Sequence, residues 1–383
     1  MCPTDTSPAL LPKSDAVERQ NAHLLSLRHL DPFSMKFVPI PAGEAVCRVH
    51  AIRGGVMDAS LGIFEHGSKE GERVPYGIDF FFLIEKLWND GREPTRMLFD
   101  LGLRAGGFDK PAYKYIEKTW TIDPGRGAAK ILESMNIPVE SIRAIILGHN
   151  HFDHVGDLRT FPPTADLIVG PGTTDLAGLA NEMDVPLKTL EERTVKYLSR
   201  ERDKWKDVGT FRGHDYFGDG SLFILDAPGH VPGHLAALVR TSSSPPIYHL
   251  LASDTAHQIT LLRSPKNPST TRKRYAAYPK FGAEERDGVV PLDSMHNNLE
   301  EAYRTIAKAE RMDLEDNVNV FLAHDWTMDI TLGGNGGPGA GPRARVLAKK
   351  EYVTLEGTKE ELDRFKSRDW QHMKYEVYST ALQ

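Results

Sequence analysis

The stretch Ile145-Ile146-Leu147-Gly148-His149-Asn150-His151-Phe152-Asp153-His154 decides how this chain is read. An apolar run leads straight into three imidazoles and one carboxylate within six residues. A short apolar run of this kind reads as a buried strand, and the polar cluster falls on the loop leaving its end. Four ligand-type side chains so close together at a strand end would leave polar groups without partners, yet buried nitrogen and oxygen atoms are nearly always hydrogen-bonded. A metal ion supplies the missing partner. Alternation sends His149 and His151 to one side, while Asp153 and His154 lie past the bend and can address a second ion.

This spacing resembles the signature of the metallo-β-lactamase superfamily, and further motifs of that family can be sought in order along the chain. Ala227-Pro228-Gly229-His230-Val231-Pro232-Gly233-His234 is similar to the family's Pro-Gly-His-x-x-Gly-His turn, Leu251-Ala252-Ser253-Asp254-Thr255 to its bridging Asp, and Phe321-Leu322-Ala323-His324-Asp325 to its last His. Upstream, Phe99-Asp100-Leu101-Gly102 is similar to its Asp-x-Gly strand end. The resemblance covers about residues 47 to 330. It implies an α/β fold, an αββα sandwich of two mixed sheets face to face with helices outside and the metal site at one edge.

Carried over residue by residue, the resemblance implies that His149, His151 and His230 bind one metal ion and Asp153, His154 and His324 a second, with Asp254 bridging them. His234 competes with His230 for the ligand role by position and otherwise belongs to the turn. Asp100 is placed to orient a ligand imidazole, since metal-bound histidines usually donate their other N–H to a carboxylate; Asp325 can do the same or be solvated. Nitrogen and carboxylate ligands without thiolate suit two Zn²⁺ ions, and Mn²⁺ or Fe²⁺ would tolerate the same set. An Asp at position 254, where several true β-lactamases have Cys, is similar to lactonases, glyoxalase II enzymes and fungal polyketide thioesterases.

The resemblance therefore implies a hydrolase in which a metal-bridging hydroxide attacks a small carbonyl substrate, a lactone or an ester, with Asp153 orienting the nucleophile. His257 lies three residues after Asp254, where bacterial acyl-homoserine lactonases carry a Tyr. Two readings stand for it, a proton donor to the leaving group or a surface residue beside the site. Phe152 packs or lines the entrance. A thioesterase, including the polyketide-releasing type, or a lactam hydrolase would use the same ligands. A nuclease would need a basic track, which a formal net charge of −6 does not advertise. A binding protein with a vestigial site should have lost some ligands, whereas all seven positions hold competent residues.

Composition bounds the rest. The 383 residues suffice for a large core. Cys2 and Cys47 alone rule out a disulfide framework or a cysteine zinc site. No signal-like or membrane-length apolar run occurs, so a cytoplasmic protein with a small-molecule substrate and no membrane or nucleic-acid partner is expected. Residues 1–45 read as an N-terminal arm with a helical patch at Val17 to Leu27, 46–332 as the catalytic domain, and 333–383 as a Gly/Pro linker and C-terminal helical extension. In that extension Thr358 and Glu361 form a capping-box pattern. Residues 187–207 are expected as an exposed helix or flap, and a further helix is expected from about Met295.

Overall fold

The computed structural model describes residues 15–59, 61–64, 77–111, 113–114, 116, 120–258, 261–262, 275–280, 284, 286, 289–325 and 351–356. The strands are β1 (Cys47–Asp58), β2 (Gly77–Lys86), β3 (Thr95–Phe99), β4 (Thr121–Asp123), β5 (Ile142–Ile146), β6 (Asp166–Val169), β7 (Val195–Tyr197), β8 (Trp205–Val208), β9 (Phe211–Asp215), β10 (Leu222–Asp226), β11 (Leu235–Ser243), β12 (Pro246–Leu251), β13 (Tyr278–Pro279), β14 (Leu292–Asp293), β15 (Val318–Phe321) and β16 (Tyr352–Thr354). One sheet runs β16-β1-β2-β3-β5-β6-β7 with β4 beside β1, and the other runs β15-β12-β11-β10-β9-β8. Both are mixed: β3, β5, β6 and β7 are mutually parallel, as are β12 and β15, and the remaining pairs are antiparallel.

Period-two side-chain alternation explains how apolar runs become a layered sandwich. Phe80, Phe82, Ile84, Phe99 and Ile146 face Leu222, Ile224, Leu235, Ala237 and Phe321 between the sheets. Their neighbours Phe81, Leu83, Leu98 and Ile145 point the other way. There they pack under α2 (Ala128–Ser134), α3 (Leu176–Glu182) and α4 (Leu187–Glu191), through Ile131, Leu132, Leu179 and Leu190. On the second sheet Phe223, Leu225, Leu238 and Leu250 face α5 (Leu299–Asp313), which buries Tyr303, Ile306 and Met312, and α1 (Asp15–Arg28), which adds Leu24 and Leu27. Three apolar layers separate helix, sheet, sheet and helix: the αββα sandwich.

Two sequence expectations change. Residues 187–207 are not an exposed helix or flap: α4 is five residues long, buries Leu190, and is followed by β7 at the end of the first sheet. The charged residues there belong to short connections, and their rough helical spacing is coincidental with β7, which pairs in parallel with β6. The helix expected from Met295 begins at Leu299, where the Asn298 side chain accepts from the Glu301 N–H as an N-cap, so residues 295–297 are loop.

The N-terminal segment is tied down at Arg240, a fully buried guanidinium that donates to the Pro41 and Ala45 carbonyls. Tyr352–Thr354, inside the stretch expected as an extension, pairs with β1 at the sheet edge. The Gly333–Gly341 linker and the Thr358–Glu361 capping pattern lie outside the described residues. No helix among the described residues is long and apolar enough to cross a membrane.

Candidate metal centre

Each ligand-type side chain sits just past a strand end, and the local sequence explains how it gets there. After β5, Gly148 passes so near the other sheet's loops that a β-carbon would lie 2.3 Å from the Ser253 Oγ and 2.9 Å from an Asp100 oxygen. Only glycine fits this approach, and its N–H donates to Asp100 Oδ1 at 2.6 Å. The same carboxylate accepts from the Ser253 hydroxyl at 3.1 Å and pairs through Oδ2 with His154 Nδ1 at 2.9 Å. Asp100 and Ser253 both adopt left-handed backbone, φ 64° and 44°, a conformation that costs non-glycine residues energy and here aims Ser253 at the Asp100 carboxylate and that carboxylate at His154.

The turn after β10 delivers His230. Gly229 takes φ +126° and lies against the backbone of Ala302, while the Asn297 and Asn298 amides donate to the His230 and Gly229 carbonyls. His234 is held inside the turn: its Nδ1 bonds the Ala227 carbonyl at 2.7 Å and its Nε2 accepts from the Asp254 amide at 3.2 Å. Both nitrogens of His234 are thus engaged by backbone. Asp254 follows β12, and His324 follows β15 with its Nδ1 donating to the Ile78 carbonyl at 2.9 Å.

These loops bring all seven predicted ligand residues together in two groups. His149, His151, His230 and Asp254 offer ligand atoms within 4.8 Å of one another, and so do Asp153, His154 and His324. His230 Nε2 lies 3.1 Å from His149 Nε2 and 3.0 Å from His151 Nδ1. Asp254 stands between the groups: Oδ2 is 3.5 Å from His230 Nε2 and 3.4 Å from His154 Nε2, and Oδ1 is 3.2 Å from His324 Nε2. Asp153 Oδ2 lies 3.5 Å from His324 Nε2.

Electrostatics differ between the groups. Burial, with neighbouring histidines, pushes His149 and His230 well below the ordinary imidazole range, and burial lowers His151, so the three imidazoles of the first group present neutral lone pairs. Burial opposes charge on His154 and His324 too, but Asp254 and Asp153 outweigh it, raising His154 well above its ordinary value and His324 to about 9. Burial also opposes charge on Asp254, yet His154, His324 and His257 hold it well below the usual carboxylate range. Buried atoms without a hydrogen-bond partner include His154 Nε2 and Asp254 Oδ1. Converging lone pairs, carboxylates and orphaned buried atoms are what a divalent cation satisfies, so the residues fit such ions.

His257 is buried, not a surface residue: its Nε2 lies 3.4 Å from Asp254 Oδ2 and its Nδ1 3.3 Å from the Tyr275 hydroxyl. Burial, only partly offset by Asp254, lowers its pKa to about 3. Two residues escaped sequence reasoning. Asp79 is fully buried beside the site, with both carboxylate oxygens unpartnered and its pKa pushed well up by burial. His296 packs edge-on against His230 and His257, with ring centres 5.2 and 5.0 Å away. Neither belongs to a ligand-spaced motif; Asp79 could have been suspected as a charge between Ile78 and the apolar run Phe80 to Ile84, but His296 carried no signal.

A cavity opens onto the centre, lined by His151, Asp153, Asp254, His257 and His324 and walled by Phe64, Trp120, Phe152 and Met295. Phe152 thus sits in the cavity wall.

Residues 122–244 match the sequence profile of the metallo-beta-lactamase superfamily. The chain is 33% identical over 261 residues to metallo-hydrolase mfmC of Annulohypoxylon moriforme, covering 61% of this chain and 67% of that one. This chain belongs to the metallo-β-lactamase superfamily. Within the superfamily it is 38% identical over 199 residues to gamma-lactamase FDB1 of Fusarium pseudograminearum (strain CS3096), covering 49% of this chain and 48% of FDB1, so it spans about half of that relative. The solved N-acyl homoserine lactone hydrolase with N-hexanoyl-L-homoserine at its catalytic metal centre superposes with a TM-score of 0.51 at 16% identity, over 75% of this chain and 96% of that one, a likeness of fold. The chain is a metal-dependent hydrolase of this superfamily.

Proposed function

We propose that the protein hydrolyses a lactone or ester with an apolar, ring-bearing body. His149, His151 and His230 would hold one divalent ion, Asp153, His154 and His324 a second, and Asp254 would lie between both. Zinc suits this nitrogen-rich set. The observation that carries the reading is the convergence of seven side chains from separate strand ends at the floor of an aromatic-walled cavity. When bound, such a pair of ions supplies an acidified water and polarises a carbonyl oxygen.

The chain's own residues do the rest. Phe64, Trp120, Phe152 and Met295 offer an apolar wall that binds the substrate body and excludes bulk water, which strengthens every polar contact at the floor. Asp100 fixes the tautomer and direction of His154. Asp153 reaches the cavity and orients the attacking water. His257, steadied by Tyr275, faces the same cavity as a neutral imidazole whose ring N–H would donate a hydrogen bond to the departing oxygen.

A second reading, lactam hydrolysis, is favoured by the similarity to FDB1 and by a donor-type side chain in the cavity, which an amine leaving group needs more than an alkoxide does. One screen addresses both. Zinc-reconstituted protein is assayed on aliphatic lactones, aryl-fused lactones, aryl esters, thioesters and γ-lactams, with His151→Ala as control. Aryl-fused lactones should be turned over fastest, and the variant should lose at least about 10³-fold in kcat/KM. Turnover confined to thioesters, or surviving His151→Ala, would sink the proposal.

A further inference from the structure

His230 belongs to the first ligand group, yet a different trio forms around it. His230, His257 and His296 also offer ligand atoms within 4.8 Å of one another, and all three are buried. Their ring centres make a nearly equilateral triangle, with sides of 4.8 Å from His230 to His257, 5.0 Å from His257 to His296 and 5.2 Å from His230 to His296. The triangle of the first group, His149, His151 and His230, has sides of 4.5, 4.5 and 4.7 Å. Three imidazoles on one tetrahedral zinc, at bonds of about 2.0–2.1 Å, place their ring centres about 5 Å apart.

Hydrogen bonding leaves the trio unsatisfied. Neither ring nitrogen of His296 has a partner, nor has His257 Nε2 or His230 Nδ1. His230 therefore has a nitrogen beyond the one facing His149 and His151. Buried imidazole nitrogens without partners carry an uncompensated desolvation cost that a bound cation would remove. The positions are also held firmly. The Asn297 amide, next to His296, donates to the His230 carbonyl at 2.7 Å. Tyr275 packs edge-on against His296 with centroids 4.3 Å apart and receives the His257 amide at its hydroxyl.

We infer that His230, His257 and His296 form a third cation site, for a borderline divalent ion such as Zn²⁺, contiguous with the two ligand groups. The ligand chemistry is two neutral imidazoles, His257 and His296, and a His230 ring that would serve both sites as an imidazolate, its N–H proton passing to solvent when the second of its two ions binds; imidazole donors favour zinc, copper or nickel over magnesium or calcium. Sharing His230 makes it the weakest of the three; it rests on the dinuclear reading through that ring, and an ion bound there would take His257 away from the leaving-group role proposed above.

Chelated protein is titrated with Zn²⁺ by equilibrium dialysis, and bound metal is measured by atomic emission. Wild type should take up three ions per chain, the third at least tenfold more weakly than the others. His296→Phe should stop at two. In Co²⁺-loaded protein the third equivalent should add visible d–d absorption that the variant lacks. His296→Gln repeats the comparison should the phenylalanine not fold, with circular dichroism as the check. Wild type saturating at two ions overturns the third site while leaving the dinuclear reading intact, as a buried water in the trio would give. A variant that still binds three also overturns it.

Discussion

Asp100 shows how one side chain can govern a centre from outside it. Its carboxylate collects three donors, the Gly148 amide, the Ser253 hydroxyl and His154 Nδ1, and so fixes both loops and the His154 ring in a single arrangement. Asp100→Asn keeps the shape but loses the charge and one acceptor. Metal affinity at the Asp153, His154 and His324 group should fall by about 10- to 100-fold, read by competition with a chromophoric chelator; unchanged affinity would remove Asp100 from the role. Glu85 offers a test of charge away from the centre. Hydrogen bonding to His50, opposed by burial and helped by Arg96, lowers its carboxyl from 4.5 to about 2. A depressed carboxylate stabilises the fold fully above its ordinary pKa and loses that contribution as the pH drops towards the folded value. Glu85→Gln should therefore be less stable by up to about 3 kcal/mol at pH 7, a gap that closes between pH 4.5 and 2 in urea unfolding. A pH-independent gap would contradict it. At this scale the sequence was legible wherever ligands cluster at a spacing, as in His149 to His154. His296 was not, because its neighbours His230 and His257 are 66 and 39 residues away along the chain and only the loop before α5 brings it to them.

Among the elements, α5 does more than cover a sheet. Its N-terminal turn lies against Gly229, so the helix and the turn bearing His230 set each other's position. The Thr305 hydroxyl adds a bond to the Pro228 carbonyl at 2.6 Å. A β-carbon on Gly229 would stand 2.4 Å from the Ala302 nitrogen, and the φ of +126° disfavours any L side chain there. Gly229→Ala should thus cost about 1–3 kcal/mol or more of stability and displace His230, so that the variant binds less zinc even where it folds. Thermal unfolding and metal content together check this; a variant with wild-type values in both would contradict the account. Strands that bury both faces, such as Phe80 to Ile84 and Ala144 to Ile146, were readable as apolar runs. Residues 187–207 were not, because three short elements there, α4, β7 and β8, carry too few apolar residues each to impose a period.

In the whole molecule, the ligands are divided between the sheets. His149, His151, Asp153 and His154 leave β5 in the first sheet, whereas His230, Asp254 and His324 leave β10, β12 and β15 in the second. Between the sheets lies apolar packing that would hold them together unaided, but at the edge the buried imidazoles and carboxylates oppose association unless something satisfies them. Cations at that edge would fasten one sheet to the other, and their binding energy would be added to the stability of the entire sandwich, since the unfolded chain cannot assemble the same ligands. Free zinc at 100 times its dissociation constant would contribute about 2.7 kcal/mol per site. At a few degrees per kcal/mol for a domain of this size, chelation should lower the midpoint of thermal unfolding by at least about 5 °C, and added zinc should restore it. His151→Ala should show a smaller response because one group has lost a ligand. Differential scanning calorimetry gives the answer directly: identical midpoints with and without chelator would mean that the two sheets are not joined by metal at this edge.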